Sequence, residues 1–466
     1  MTLIKSISGI RGTIGGTVGD NLTPLDLVKF TAAYGVWLIQ QNTSGKPKVV
    51  IGRDARISGE MVSRLVSGSL MSLGIDVIDI GLATTPTVEI AVVAEKASGG
   101  IILSASHNPA QWNALKLLNH RGEFINDEDG KSLLAIAELG DFIFADIKRI
   151  GVYHKKYNYL KTHIAQILAL PLVNAEAIEK RNFTVLVDGI NSVGGVTVPA
   201  LLHALGVKNI VEVNCQPTGQ FAHNPEPLPE HLVSTALDVV RNKADVGLVV
   251  DPDVDRLAII SEKGAMFGEE YTLVAVADYV LQHQLGNTVS NLSSTSALRD
   301  ITQKAGGNYF TSAVGEVNVV AKMKEVNAVI GGEGNGGIIY PDLHYGRDAL
   351  VGIALFLSHL ALTGKTCSAL REKYPDYHMS KNKIDLRSFK NVDPDEVLIA
   401  LKQRYERYPI IDIDGLRIDF EQGWVHLRKS NTEPIIRIYS ESASETIANN
   451  MAKHLITQIT EIIVSG

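Results

Sequence analysis

The sequence predicts an α/β protein: three similar units in series, each with a mixed, mainly parallel sheet, followed by a smaller C-terminal α+β domain. Apolar runs of strand length alternate with stretches of helical periodicity. That alternation restarts twice, and near the C-terminus it gives way to consecutive short strands. At about 150 residues per domain, a chain of 466 residues has room for three domains or a little more.

After Asn21, TPLDLVKFTAAYGVWL opens with Thr23 as N-cap and Pro24 at the first helical position; Leu27, Phe30, Tyr34 and Trp37 recur at helical spacing. KVVIGRD (48–54) reads as a strand, the pattern through Met61, Leu65 and Leu70 to Gly74 as a helix, and IDVIDIG (75–81) as a strand. A further helix-like stretch leads to the strand GGIILSAS (99–106). The pattern restarts at FTVLVDGINSVGG (183–195) with DVGLVVDPDVD (245–255), and again from Tyr271 through NLSSTSA to NAVIGGEGNGG (327–337). GLRIDF, GWVHLR and IIRIYSE then read as successive strands. A final amphipathic helix is expected to start at a capping box of Ser442 and Glu445, with Ile447, Met451, Leu455 and Ile459 on one face. The expected domains are 1–155, 156–256, 257–372 and 384–466, the last joined through the charged stretch 371–383.

Apolar residues at 45% and charged residues at 20% match ordinary soluble proteins and exclude disorder, collagen and coiled coil. Lys plus Arg is 44 against 51 for Asp plus Glu, a net charge of -7, which argues against a nucleic-acid partner. Two distant cysteines, Cys215 and Cys367, are too few for a disulfide framework or a cysteine zinc site, and a reducing compartment is the default. MTLIKSISGIRG lacks the apolar core of a signal peptide. The longest apolar stretch, Leu350 to Leu362, contains Ser358 and His359 and falls short of the roughly 20 residues a membrane span requires. The expectation is a soluble, cytoplasmic protein with no membrane partner.

Five segments could carry chemistry. SASHNP (104–109) lies where an apolar strand ends, the place where α/β sheets bind ligands, so Ser106 is a candidate nucleophile; the alternative is a turn at Asn108-Pro109 with Ser106 as a cap. DPDVDR (251–256) also follows a strand and sets three carboxylates at alternate positions. They repel unless a cation joins them, and Asp251, Asp253 and Asp255 could supply oxygen ligands to Mg²⁺; the alternative is a solvated acidic loop. GGEGNGG (331–337), with Glu333 and Asn335, could close on a polyhydroxylated ligand or be a flexible turn; it is neither a Walker loop nor a dinucleotide fingerprint. RKSNTEPIIR (428–437) gathers Arg428, Ser430, Asn431, Thr432 and Arg437, donors that suit a phosphate dianion or an ordinary hairpin turn. In SGIRG (8–12), Arg11 could reach an anion or cap a strand.

In this order and over essentially the whole chain, these segments resemble the α-D-phosphohexomutase superfamily. Its pattern has a phosphoserine loop (T/S)-A-S-H-N-P, a metal loop D-x-D-x-D-R, a sugar loop around G-E-x-(S/N)-G and a phosphate loop R-x-S-(N/G)-T-E-P-x-x-R. The resemblance implies four domains around a central cleft, a phosphoryl group on Ser106, and Mg²⁺ held by Asp251, Asp253 and Asp255 with a phosphoserine oxygen. It implies that the phosphoserine phosphorylates a sugar monophosphate, that a hexose bisphosphate is the intermediate and activator, and that the phosphate moves between C1 and C6. Lys116, in NALK, matches a lysine placed for general acid/base assistance, and His107 lines the phosphoserine loop. Arg256 would position substrate, Glu333 would bind sugar hydroxyls, and Arg11 resembles an arginine near the reacting phosphate. Arg428, Ser430, Asn431, Thr432 and Arg437 match the site for the other phosphate.

The chain departs from the pattern in places. Ala114 stands for the glycine before the lysine, Asn335 and Gly337 replace the Ser and His of G-E-x-S-G-H, and Glu316 in VGEVNV stands where many members have histidine. The E-x-N-G-G form resembles archaeal-type phosphoglucosamine mutases, and an amide can both donate to hydroxyls and accept from an amine. The expected activity is interconversion of glucosamine 6-phosphate and glucosamine 1-phosphate; glucose or mannose phosphates are the alternative substrates. A phosphatase of the haloacid-dehalogenase type would carry its phosphate on Asp251, and a scaffold would bind sugar phosphate without chemistry. A monomer or homodimer is expected.

Overall fold

The computed structural model describes residues 2–6, 9–41, 45–389, 392–430 and 434–465. The first sheet holds β1 (Ile4–Ser6), β2 (Gly9–Thr13), β3 (Lys48–Arg53), β4 (Asp76–Leu82), β5 (Gly99–Leu103), β6 (Trp112–Leu118) and β7 (Tyr153–Lys155), in the order β1-β2-β6-β5-β3-β4-β7. β5, β3, β4 and β7 run parallel, while β6, β2 and β1 are antiparallel. β5 is buried throughout, as a strand covered by helices on both faces must be. Lys116 on β6 pairs with Ile102 on β5, and Arg11 on β2 pairs with Ala114, so the register sets Lys116 beside the strand that leads to Ser106 and Arg11 one strand further out.

The second sheet holds β8 (Thr184–Asp188), β9 (Asn209–Val213), β10 (Val246–Val250) and β11 (Leu257–Ser261), in the order β11-β10-β8-β9. β10 and β11 form an antiparallel hairpin. The expected boundary at 256 therefore falls inside this sheet: DPDVDR is the hairpin's turn, not the end of a unit. The third sheet, β12 (Asn287–Asn291), β13 (Tyr309–Ser312), β14 (Ala328–Glu333) and β15 (Gly337–Ile339), repeats the plan with a parallel interior and one antiparallel edge. Its GGEGNGG segment takes in the end of β14, the turn and the first residue of β15.

The fourth sheet is wholly antiparallel: β16 (His378–Asp385), β17 (Ile410–Ile411), β18 (Leu416–Phe420), β19 (Gly423–Lys429) and β20 (Ile435–Ser442), in the order β16-β20-β19-β18-β17. β16 takes in part of the expected linker and begins before residue 384. It is an edge strand of mostly polar residues, which blunts the exposed edge and reads in sequence as a connection. Ser442 does not cap the last helix. It ends β20, and its hydroxyl donates to the Gln422 carbonyl at 2.7 Å, so the helix starts at Glu445 and buries Ala448, Ala452, Leu455 and Ile459.

The second and third units share one hydrophobic core, whereas the first and fourth have their own. The longest apolar stretch is the helix Ala349–Thr363, buried within the shared core. Among the described residues no helix is long and apolar enough to cross a membrane. Cys215 and Cys367 are free and buried.

Candidate active site

At the carboxyl end of β5 the chain leaves the sheet and turns sharply. Ser104 Oγ donates to Asp54 at 2.7 Å and accepts the amide of Ser106 at 2.9 Å. Arg56, 1% exposed, is held by Asp54 at 2.9 Å and spends its other donors on the carbonyls of Ser106, Asn108, Pro109 and Trp112. This clamp holds Ser106 at φ 48°, a left-handed conformation that non-glycine residues adopt only when their surroundings impose it. In that conformation Ser106 Oγ donates to Asp251 Oδ2 at 2.6 Å, across the junction between the first and second units.

The DPDVDR turn is strained in the same sense, with the buried Val254 at φ 63°. Asp251 Oδ1 accepts the amides of Asp255 and Arg256, each at 3.1 Å. Asp253 Oδ2 accepts from Thr85 Oγ1 and Lys116 Nζ, both at 2.6 Å. Asp255 Oδ2 accepts from Lys116 at 3.2 Å and from Arg347 Nη2 at 2.7 Å. Protein donors thus take one oxygen of each of these two acids, while Asp253 Oδ1 and Asp255 Oδ1 are buried with no hydrogen-bond partner. Leaving a buried charged oxygen unsatisfied costs a few kcal/mol or more. Ligand atoms of all three aspartates lie within 4.8 Å of one another, so an all-oxygen set with two buried atoms that accept no hydrogen bond fits a hard divalent cation.

Charges here are mutually adjusted. Burial, then Asp255 and Asp253, push the Asp251 carboxyl well above its ordinary range. For Asp255, burial is outweighed by Arg347, Lys116 and Arg256, which hold it down. Burial would lower Lys116, but Asp253 and Asp255 overcome it and keep the ammonium protonated. Burial and then Arg256 drive the His107 imidazole well below its usual value, so it stays neutral, with Nδ1 3.4 Å from Ser106 Oγ. Arg11 is lowered by burial and then by Arg256 and Arg347, so three guanidinium groups share one neighbourhood. Arg256 Nε is buried without a hydrogen-bond partner.

On the sugar loop, Glu333 Oε1 accepts from Asn291 at 2.9 Å and from the Gly315 amide at 3.1 Å, while Oε2 accepts from Arg347 at 2.8 Å. Asn335 Oδ1 accepts the Gly337 amide at 3.2 Å. Arg428 donates to Asp414 at 2.9 Å, and Asp414 also takes the Val314 amide at 2.9 Å. The register sets Arg437 opposite both Arg428 and Lys383, a cationic row across three strands. The Ser430 amide donates to the Ile435 carbonyl at 3.0 Å and closes the hairpin. Asn431 and Thr432 lie outside the described residues.

The fold therefore gathers Ser106, His107, Lys116, the three aspartates, Arg11 and Arg256 at one place and ties Glu333 to them. Arg428, Ser430 and Arg437 form a second cluster on the fourth sheet. Sequence reasoning missed Arg56 and Arg347. The available signals were slight: an arginine two residues after Asp54 at a strand end, and one beside Asp348, the cap of the most apolar helix.

Consecutive parts of the chain match the phosphoglucomutase/phosphomannomutase α/β/α domain I over residues 3–143, domain II over 161–264, domain III over 268–377 and the C-terminal domain over 384–458. A phosphoglucomutase/phosphomannomutase of Thermococcus kodakarensis is 37% identical over 93% of this chain and 94% of its own length. A phosphoglucosamine/phosphogalactosamine mutase of Sulfurisphaera tokodaii is 33% identical over 95% and 97%. The crystal structure of a phosphoglucomutase/phosphomannomutase family protein from Burkholderia thailandensis superposes with a TM-score of 0.82 at 24% identity, covering 98% of each chain. With four successive domain matches and relatives aligned end to end, the chain belongs to the phosphoglucomutase/phosphomannomutase family of the phosphohexomutase superfamily, enzymes that are isomerase-type phosphotransferases.

Proposed function

We propose that the enzyme interconverts the 1- and 6-phosphates of a hexose through a phosphoryl group carried on Ser106. The observation that carries this reading is the Ser106 hydroxyl held 2.6 Å from Asp251, beside buried carboxylate oxygens that accept no hydrogen bond and three arginines. Asp251, Asp253 and Asp255 would hold Mg²⁺, which when bound would neutralise charge on the phosphoryl oxygens. In the first half-reaction the bond from phosphorus to Ser106 Oγ breaks and one from phosphorus to the free sugar oxygen forms, giving the bisphosphate; in the second, the bond from phosphorus to the other sugar oxygen breaks and the bond to Ser106 Oγ forms again. In the first half the sugar hydroxyl gives up a proton and the serine oxygen gains one, and the second half reverses both transfers. His107, kept neutral, suits the first transfer; Lys116, kept protonated, suits the second. Arg11 and Arg256 would bear on the reacting phosphate, Glu333 and Asn335 on the sugar hydroxyls. Arg428, Ser430, Asn431, Thr432 and Arg437 would hold the other phosphate. A hexose bisphosphate is the intermediate and the activator.

For the sugar we favour a neutral hexose such as glucose or mannose, on the strength of the Thermococcus kodakarensis phosphoglucomutase/phosphomannomutase, which is 37% identical to this chain. A second reading, glucosamine phosphate, is supported by the three carboxylates around the single guanidinium of Arg347 and by the Sulfurisphaera tokodaii relative. Turnover of glucose, mannose and glucosamine 1-phosphates, each with a trace of its bisphosphate, tests this. Glucose or mannose should win by about tenfold or more, the factor that corresponds to 1.4 kcal/mol in the barrier; a glucosamine preference of that size establishes the second reading.

A further inference from the structure

We propose that Arg347 is a positioning residue that couples the metal loop to the sugar loop and fills the space a side chain at position 337 would need. The inference rests on the phosphotransfer reading above. Arg347 is 9% exposed, and each arm of its guanidinium has a different carboxylate. Nη2 donates to Asp255 at 2.7 Å, Nη1 to Glu333 at 2.8 Å and Nε to Glu316 at 3.1 Å. Its own amide also donates to Glu316, at 2.9 Å. Arginine's planar fork suits this task because its donor directions are fixed relative to one another. Asp255 and Glu333 are thereby held in one mutual geometry.

Two further observations converge on the same side chain. A Cβ at Gly337 would collide with Arg347 Cδ and stand 3.1 Å from its Cγ. Glycine at 337 is thus what lets the arginine cross to the metal loop. Glu316, the other position where histidine is usual in the family pattern, is the acid that fixes Nε. Glu316, Gly337 and Arg347 are therefore one arrangement: the two positions where histidine is usual have become a brace and a passage for a single guanidinium. That guanidinium engages Oδ2 of Asp255 and leaves Oδ1 without a hydrogen bond, 3.9 Å from Arg256 Nε.

The test uses the full chain as Arg347→Lys, Arg347→Met and Gly337→Ala, with Mn²⁺ binding followed by electron paramagnetic resonance and turnover measured on glucose 1-phosphate. Gly337→Ala displaces the arginine without removing its charge, which keeps the proposal testable if Arg347→Met fails to fold. Folded Arg347→Met and Gly337→Ala should each bind Mn²⁺ at least tenfold more weakly and lose at least 100-fold in kcat. Arg347→Lys should restore folding and part of the Mn²⁺ affinity but not kcat, because a point charge cannot hold two carboxylates in register. Wild-type Mn²⁺ affinity and kcat in Gly337→Ala and Arg347→Lys would overturn the proposal. If wild-type protein fails to turn over hexose phosphate while the variants still shift Mn²⁺ affinity, the functional reading fails and the coupling stands.

Discussion

The two ends of the proposed substrate site are built on opposite principles. Around Ser106, buried charges are paired before any ligand arrives: Arg56 with Asp54, Lys116 with Asp253 and Asp255, Arg347 with three acids. On the fourth sheet Arg428 is paired with Asp414, but Arg437 and Lys383 in the same cationic row stand exposed, set side by side by strand register. Buried pairs cost desolvation and gain fixed geometry; exposed cations keep their hydration and are screened by salt. The contrast teaches that one end is organised for chemistry and the other for grip.

Breaking the reacting end should have the largest effect. Ser106→Ala should lower turnover by at least roughly 1,000-fold, since a lost nucleophile removes the whole covalent route, while circular dichroism shows an unchanged fold. Arg56→Met should cost roughly 3–5 kcal/mol of stability, because it strips the partner from buried Asp54 and frees four carbonyls; a denaturant titration measures it. Arg428→Ala should raise KM about 10- to 100-fold, the loss of a charge-assisted phosphate contact, with a smaller change in kcat. Added salt should raise the wild-type KM and leave kcat nearly constant.

The smallest effect sharpens the comparison at the junction of the first three units. His163, from the second unit, meets Asp348 at 2.8 Å; His344 lies between Asp348 at 3.3 Å and Glu89 of the first unit at 3.1 Å. Burial lowers His344, but Asp348 and Glu89 overcome it and bring it to about 10. Burial raises Glu89 to about 8, against the pull of His344. Both groups bind protons more tightly folded than unfolded. The His344 contribution is complete below about 6.5 and is lost as pH rises through about 10; the Glu89 contribution fades as pH rises through about 8. The melting temperature should therefore fall by a few degrees between pH 6.5 and 10, and His344→Gln should flatten that slope.

What could be read from the chain, and what could not, follows the range of the interactions. Ser106 and the aspartate triplet announce themselves because each motif is contiguous and follows a buried strand. The alternation of strands and helices is equally local, and the first three sheets follow it; the consecutive short strands after it form the fourth. Arg347 and Arg56 act through contacts 92 and 50 residues away in sequence, which no local spacing encodes. Ser442 has the chemistry of a helix cap, yet its pairing with His378 and Gly423 claims it for the sheet. β16 was hidden for a related reason, its polar edge resembling a linker.

The central claim is that phosphorus passes through one serine oxygen. Incubating the enzyme with radiolabelled hexose 1,6-bisphosphate, followed by peptide mapping, should place a single phosphoryl group on Ser106 and show it discharging onto unlabelled hexose monophosphate. Label on Asp251, or label released as inorganic phosphate, would contradict the account.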